Sequence, residues 1–130
     1  MRICVTAFSD KPDAAVDPRF GRCRYFVILD PETMSYDVVE NAGLNATGGA
    51  GIQAAQTIVN KKVDVVITGN IGPNAFNVLS AAGIKTVTGV SGIVKDVVER
   101  YQRGELRETN NATVGGHFGM GRGGGRRRGW

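Results

Sequence analysis

A short segment near the N-terminus, DPRFGRC, carries the most distinctive chemistry of the chain. In it, Arg19 and Arg22 flank the pair Phe20 and Gly21. A guanidinium offers five donors in a fixed fork, which suits carboxylates, phosphates and other anionic groups. We expect Phe20 to anchor the loop and Gly21 to allow its tight bend. The alternative is that the arginines form surface ion pairs with aspartates such as Asp17, which contribute about 0–1 kcal/mol; both interpretations remain open.

Side chains that bind soft metals are few in this chain. Cys23 borders the arginine segment and is a candidate for contacting a metal or a sulfide, whereas Cys4 lies in an apolar run and is predicted to be a buried small hydrophobe. His117 is the single histidine and lies near the C-terminus. Without a CxxC motif, an HExxH motif or a histidine pair, a closed zinc site is not expected. A hydrolytic triad is excluded inside the folded domain for want of a histidine.

The hydrophobic periodicity predicts the elements that must position these residues. Apolar and β-branched runs predict strands, and apolar residues at helical spacing predict helices. The order of elements is three strands, then helix, strand, helix, strand, helix. The first half supplies an antiparallel hairpin, and the second half supplies right-handed parallel crossovers. The pattern therefore predicts an α/β fold of three layers, with a mixed five-stranded sheet between helices. Strands are predicted over 3–7, 24–30, 35–40, 63–68 and 84–88, and helices over 52–59, 73–82 and 93–101, with Pro73 opening the second and Ser91 capping the third.

Ligands of open α/β sheets bind beyond the carboxyl ends of the parallel strands. In this chain those ends carry the loops 8–22, 69–73 and 89–92. Two of these loops lead into helix N-termini, where free N–H groups and the helix dipole favour an anion. The alternative is that glycines such as Gly69 and Gly72 only make turns.

The composition is that of one globular domain with an unusual C-terminal end. The chain has 130 residues and a mass of 13.8 kDa, with 42% hydrophobic and 22% charged residues. These values exclude a disordered, collagenous or disulfide-scaffold protein. Eight of the 19 glycines lie in residues 115–130. We therefore expect a folded domain over 1–108 and a flexible Gly/Arg-rich tail over 109–130.

The positive charge of the chain belongs to that tail. The net charge is +4, and residues 115–130 hold four arginines and no acid, so the rest of the chain is neutral. The pI of about 9.4 is therefore no argument for a basic nucleic-acid groove on the folded body. With no signal peptide and no long apolar run, a cytoplasmic monomer without membrane contact is expected.

Three stretches of the sequence form a recognisable pattern: MRICVTA, DPRFGRCRYFVILD and GGAGIQAAQTIVNKKVDVVITGNIGPNAFNVLSAAGIKTVTG. In them the chain resembles the dinitrogenase iron–molybdenum cofactor-binding family, a NifX-like group that includes the C-terminal portion of NifB-type proteins. The resemblance covers nearly all of residues 1–106. It implies a ribonuclease-H-like three-layer fold with the hairpin at one sheet edge and the strand order 3-2-1-4-5. It also implies binding or carrying of a metal–sulfur cluster rather than catalysis.

The resemblance leads to a hypothesis about the site. An anionic iron–molybdenum or iron–sulfur cluster would be cargo for a non-enzymatic carrier, whose expected partners are cluster-assembly proteins. The arginine loop would supply charge and hydrogen bonds, Cys23 an optional thiolate, and the turn before the second predicted helix further donors. In the tail, only His117 and Met120 could serve a metal. The expected cluster-binding residues are Arg19, Phe20, Gly21, Arg22, Gly69, Asn70 and Gly72.

Two other functions stay open at this point. Arginine and glycine interleaved with Phe118 and Trp130 resemble RNA-binding RGG segments, so the tail is a candidate for weak RNA binding. Fold analogy alone suggests a nuclease. A two-metal nuclease needs converging carboxylates, whereas Asp10, Asp30 and Asp64 are scattered along the chain.

Overall fold

In the part of the chain that the structure describes, five strands and three helices follow one another in the predicted order. The computed structural model describes residues 1–43, 49–109 and 112. The strands are shorter than predicted by up to two residues at an end, which is where hydrogen-bond ladders stop. The elements are β1 (Ile3–Ala7), β2 (Tyr25–Leu29), β3 (Tyr36–Glu40), α1 (Ala50–Asn60), β4 (Val65–Ile67), α2 (Pro73–Ala81), β5 (Lys85–Val87) and α3 (Val94–Gln102).

The sheet has the strand order β3-β2-β1-β4-β5, which confirms the expected topology. Strands β1, β4 and β5 are parallel, and β2 runs antiparallel to both β1 and β3. The ends of β1, β4 and β5 therefore meet at one edge, which we call the carboxyl edge. Because Ala7 pairs with Tyr25 and Tyr25 pairs with Glu40, the start of β2 and the end of β3 lie there too. We call the opposite edge the amino edge.

Helices cover both faces of the sheet, because β1 and its neighbours are apolar on both sides. Ile3, Val5 and Ala7 of β1 share a buried cluster with residues of α3. Cys4, which alternates with them, belongs to a second cluster with residues of α1 and α2. The result is three layers, with α3 on one face and the α1–α2 pair on the other. Within the described ranges, no helix is long and apolar enough to cross a membrane.

One predicted helix cap is wrong. Ser91 does not cap α3, which begins at Val94 without a side-chain cap hydrogen bond. Carbonyls of the loop after β1 take over this role: Val94 N–H donates to Ala14 O and Lys95 N–H donates to Pro12 O, both at 2.9 Å. A tertiary contact therefore satisfies the donors that a local serine was expected to satisfy.

Candidate functional site

The arginine loop is fastened to the end of β4 by a short stretch of β pairing. Arg19 and Asn70 form a parallel β-bridge. Phe20 N–H donates to Asn70 O at 3.2 Å, and Asn70 N–H donates to Pro18 O at 2.7 Å. We call this pairing the strap. It brings together two groups of residues that the sequence analysis selected separately, the loop around residues 19–22 and the turn around residues 69–72.

Two glycines of the site are needed for close approach of the backbone. A Cβ added to Gly69 would lie 2.6 Å from Pro18 Cβ, which is too close for any side chain. Gly21 has a φ of 97°, and a Cβ there would lie 3.0 Å from Cα of Gly51 in the first turn of α1. The loop therefore packs against both the end of β4 and the start of α1.

Phe20 anchors the loop as predicted. Its side chain is buried and lies in the same apolar cluster as residues of α1 and α2. Its ring centroid is 5.9 Å from that of Phe26 in β2, a separation typical of a favourable aromatic pair. Fixing this ring in the core also fixes the backbone of its neighbours Arg19 and Gly21.

The two arginines of the loop differ in their surroundings. Arg19 forms a bidentate pair with Asp17, in which Nε donates to Oδ1 and Nη2 donates to Oδ2, each at 3.0 Å. The Asp17 side chain is 1% exposed, whereas that of Arg19 is 60% exposed. The hydrogen bond and charge of Asp17 raise the pKa of Arg19 further. The ion-pair interpretation thus holds for Arg19, while Arg22 is exposed and closes a turn through its N–H to Arg19 O at 3.1 Å.

A buried polar network beneath the strap holds Asp17 in place. The Thr6 hydroxyl donates to Asp17 O at 2.6 Å and lies 2.8 Å from the Thr68 hydroxyl. Asp17 N–H in turn donates to Thr6 O at 2.9 Å. The sequence analysis missed both threonines because each sits in an apolar strand-like run. The signal that could have identified them is a polar β-branched residue near the end of an apolar run, where a buried hydroxyl needs a hydrogen-bond partner.

Asn41 is a second residue that the sequence analysis missed. It is buried directly after β3, and its Nδ2 donates to Gly21 O and to Cys23 O, both at 2.9 Å. Its Oδ1 accepts the Gly43 N–H at 3.0 Å. The Asn41 side chain therefore holds the backbone of the arginine loop at Gly21 and Cys23. Its partners are 18 and 20 residues away, so no local pattern reveals the contact.

Both cysteines lie in the core. Cys23 is fully buried, and burial, with a further contribution from the charge of Asp17, raises its pKa to about 12. Cys4 is fully buried as predicted, and burial raises the pKa of its thiol as well. Since the thiolate is the form that ligates metals, these surroundings disfavour Cys23 as a ligand. The described residues contain no group of three or more His, Cys, Asp or Glu able to hold a metal ion.

Two helix N-termini lie beside the loop. Helix α1 follows Gly49 and α2 follows Gly72, with Pro73 in the first turn of α2 as predicted. Neither helix has a side-chain cap hydrogen bond or an acid in its first turn. A Cβ on Gly51 would lie 3.4 Å from Ala75 Cβ, so the two first turns are in contact. Their dipoles add positive potential at the carboxyl edge.

Other candidate groups lie elsewhere. Asp30 follows β2 and Asp64 precedes β4, which puts both at the amino edge, away from Asp10 beyond β1. These three carboxylates therefore do not converge on one place, as those of a two-metal nuclease must. A pocket of about 280 Å³ at the amino edge is lined in part by Arg2 and Tyr36, and by no residue of the predicted site. His117, Met120 and the tail arginines lie outside the described residues.

Comparison with known proteins places this arrangement in a family. The family described as dinitrogenase iron–molybdenum cofactor matches residues 1–104. The apo form of the orange protein from Desulfovibrio gigas is 39% identical, with a TM-score of 0.83 over 86% of this chain and 95% of that chain. A putative NifB protein from Thermotoga is 34% identical, with a TM-score of 0.71 over 82% and 91%. An uncharacterized protein of Methanocaldococcus jannaschii is 29% identical over 72% of this chain and 81% of its own length. The chain therefore belongs to the dinitrogenase iron–molybdenum cofactor family.

Proposed function

We propose that this protein binds an anionic metal–sulfur cluster of the iron–molybdenum or iron–sulfur type at its carboxyl edge. It carries the cluster in cofactor assembly or delivery and does not transform it. The strap is the observation that supports this most directly, because it sets the arginine loop beside Asn70 and the start of α2. Family membership points in the same direction, since the family is described by its iron–molybdenum cofactor.

The carboxyl edge offers what an anionic cluster requires. Moving an anion out of water is costly unless fixed donors and positive charge replace its hydration. Asp17 holds the Arg19 guanidinium by two of its five N–H donors and thereby fixes its plane, so that the other donors are pre-oriented. Arg22 supplies positive charge on the exposed side of the same loop. The uncapped N-termini of α1 and α2 add N–H groups that suit sulfide acceptors.

The surroundings of Cys23 favour a cluster held by hydrogen bonds and charge over one held by a thiolate. Its thiol is fully buried, and its pKa is about 12. Ligation would need both exposure and deprotonation of this group, which its burial in the core opposes. We therefore expect the arginine loop and its neighbouring backbone donors to carry the affinity.

Anaerobic reconstitution tests this proposal. The reduced protein is offered an iron–sulfur cluster and, separately, tetrathiomolybdate, and bound metal is analysed after gel filtration. Arg22→Ala should weaken uptake by about tenfold or more, since a charge-assisted hydrogen bond contributes about 1.5–3 kcal/mol. Lys61 is exposed at the end of α1, and its carbonyl accepts from Arg2 Nε at 3.2 Å, which places it at the amino edge. Lys61→Ala removes the same charge there and is the matched control, expected to bind as wild type does. If wild type retains no metal above background, or if both variants bind equally well, the proposed site is wrong.

A cysteine variant separates the two modes of binding. Cys23→Ala removes the thiol from the core without placing a new polar group there. Under the proposed mode, the visible absorption of the reconstituted protein persists. Loss of that absorption in a variant whose circular dichroism shows it to be folded would mean that the cluster is ligated covalently.

A further inference from the structure

Arg24 is a third arginine beside the arginine loop. It directly precedes β2, and because Tyr25 pairs with Ala7 at the end of β1, Arg24 lies at the carboxyl edge. Its carbonyl accepts the Asn41 N–H at 3.0 Å, which holds its backbone against the residue that follows β3. The residue itself is exposed. Its guanidinium is therefore available to solvent at the edge where the candidate site lies.

Arg22 and Arg24 extend from the same short stretch of backbone. They flank Cys23, which is fully buried, whereas both arginines are exposed. Because they are two residues apart, their Cα atoms are separated by at most roughly 7 Å. The Asn41 Nδ2 donates to Gly21 O and to Cys23 O, both at 2.9 Å, so the backbone is held on both sides of Arg22. The two guanidiniums thus leave the core side by side from a fixed backbone.

The charge of Arg24 is not offset by an acid in the described ranges. The ion pairs there engage four other arginines, Arg2, Arg19, Arg100 and Arg103. Arg24 takes part in none of them, although Glu40 lies opposite its neighbour Tyr25 in the pairing of β2 with β3. Arg19, by contrast, is bound by the buried carboxylate of Asp17. Since an anion that leaves water needs positive charge in place of its hydration, Arg24 offers an attraction that Arg19 offers only in part.

We propose that Arg24 is a further anion-binding residue of the carboxyl edge, which together with Arg22 holds one side of the bound cluster through charge-assisted hydrogen bonds. This inference rests on the proposed function, since the anion is the metal–sulfur cluster. Each guanidinium is a planar fork of donors, which suits acceptors that lie side by side, such as the sulfides of one cluster. Arg19 then keeps the loop in shape through Asp17, whereas Arg24 contributes to affinity and not to stability.

Substitution of Arg24 in the full chain tests this assignment. The reduced protein is titrated with tetrathiomolybdate, and binding is followed by visible absorption. Arg24→Ala should weaken binding about tenfold, because it removes a charge-assisted hydrogen bond. Arg24→Lys keeps the charge without the planar fork and should bind with intermediate affinity.

Arg107→Ala is the matched control for the change in net charge. Arg107 is also exposed, and it takes part in none of the ion pairs of the described ranges. It lies two residues before Thr109, whose N–H donates to Thr86 O in β5. Since β5 is three strands from β2, a distance of roughly 14 Å, Arg107→Ala should bind as wild type does. Equal weakening by Arg24→Ala and Arg107→Ala would be an effect of net charge and would overturn the proposal.

A second measurement reports contact with the ligand rather than affinity. In heteronuclear NMR spectra, saturating tetrathiomolybdate should shift the side-chain Nε–H signal of Arg24 and leave that of Arg107 unchanged. Arg24→Ala should also melt as wild type does, because it leaves no buried acid without a partner. An Arg24 signal that does not move, or a loss of binding accompanied by a drop of several degrees in melting temperature, would contradict the assignment.

The outcomes separate the role of Arg24 from the proposed function. If wild type binds neither tetrathiomolybdate nor an iron–sulfur cluster, the proposed function fails and the role of Arg24 fails with it. If wild type binds, and Arg22→Ala weakens binding while Arg24→Ala does not, the proposed function stands and the assignment of Arg24 is wrong.

Discussion

At the scale of single residues, Asp17 decides how the two arginines of the loop differ. Its carboxylate is almost fully buried and accepts the fork of Arg19, while its backbone is bonded to Thr6. Arg19 is thus an oriented donor whose charge is largely offset by a buried partner, whereas Arg22 is exposed on the same loop. This difference predicts that the two arginines have unequal effects on stability.

Arg19→Ala should lower the melting temperature by several degrees, and Arg22→Ala should change it little. The reason is that the first substitution leaves the buried Asp17 carboxylate without its guanidinium partner, and an unpaired buried charge is costly. Differential scanning calorimetry of the two variants checks this. Combining Arg19→Ala with Asp17→Asn should recover part of the loss. Equal melting temperatures for the two single variants would mean that Asp17 does not depend on Arg19.

Cys23 predicts a loss of stability in alkaline solution. Its folded pKa of about 12 lies above the ordinary value of 9.0, so between these values the unfolded chain loses the proton while the folded protein keeps it. The free energy of unfolding therefore falls as pH rises through this window, by about 1.4 kcal/mol for each pH unit from this group. Urea titrations at several pH values measure the slope. Cys23→Ala should make the slope shallower, and an unchanged slope would contradict the raised pKa.

At the scale of elements, the site depends on close packing between the loop, the end of β4 and the start of α1. Gly69 and Gly51 test two sides of this packing. A Cβ at Gly69 would overlap Pro18, whereas a Cβ at Gly51 would make an ordinary contact of 3.4 Å with Ala75. Gly51 also lies inside α1, where alanine is favoured over glycine by about 0.5–1 kcal/mol.

We expect Gly69→Ala to destabilise the protein and to weaken cluster uptake, because Pro18 and with it the strap must shift. Gly51→Ala should leave the melting temperature equal or slightly raised. Thermal melts and the reconstitution assay on both variants check these expectations. If Gly69→Ala melts as wild type does and binds metal fully, the strap does not hold the site together.

Most strands and helices can be predicted from the sequence, because the signals that specify them lie in neighbouring residues. Strand β1 is predicted at its observed bounds from its apolar run, and Pro73 marks the start of α2 because its ring suits a first helical turn. The contacts that build the site are not local. Asn41 and Thr6 act on residues 11 to 20 positions away, and the cap of α3 comes from a loop some 80 residues earlier in the chain. Because this contact is distant in sequence, local pattern predicts Ser91 as the cap of α3, and the prediction is wrong.

At the scale of the whole molecule, Thr109 is bonded to the free edge of β5: its N–H donates to Thr86 O at 2.6 Å, and its Oγ1 accepts from Thr88 N–H at 3.0 Å. Thr109 belongs by its hydrogen bonds to the sheet, although composition groups it with the tail. We therefore expect residues up to Thr109 to stabilise the fold and the residues beyond it to contribute little.

Two truncations locate that boundary. Removing residues 113–130 should leave the melting temperature nearly unchanged, because the hydrogen bonds between Thr109 and β5 are kept. Removing residues 109–130 should cost about 1–2 kcal/mol, since two hydrogen bonds at the edge of β5 lose their partner, and should lower the melting temperature by roughly 5–10 °C. Calorimetry on both proteins decides between the outcomes. A large drop already in the shorter truncation would show that residues 113–130 themselves stabilise the domain.

Anomalous X-ray scattering tests the central claim most directly, because it shows where a bound cluster lies. Crystals of the wild-type protein with a bound molybdenum or iron cluster would be measured at the absorption edge of the metal. We predict an anomalous peak at the carboxyl edge, beside Arg22 and Asn70, and beyond bonding distance of Cys23 Sγ. A peak in the pocket at the amino edge, or one bonded to Cys23, would contradict the account.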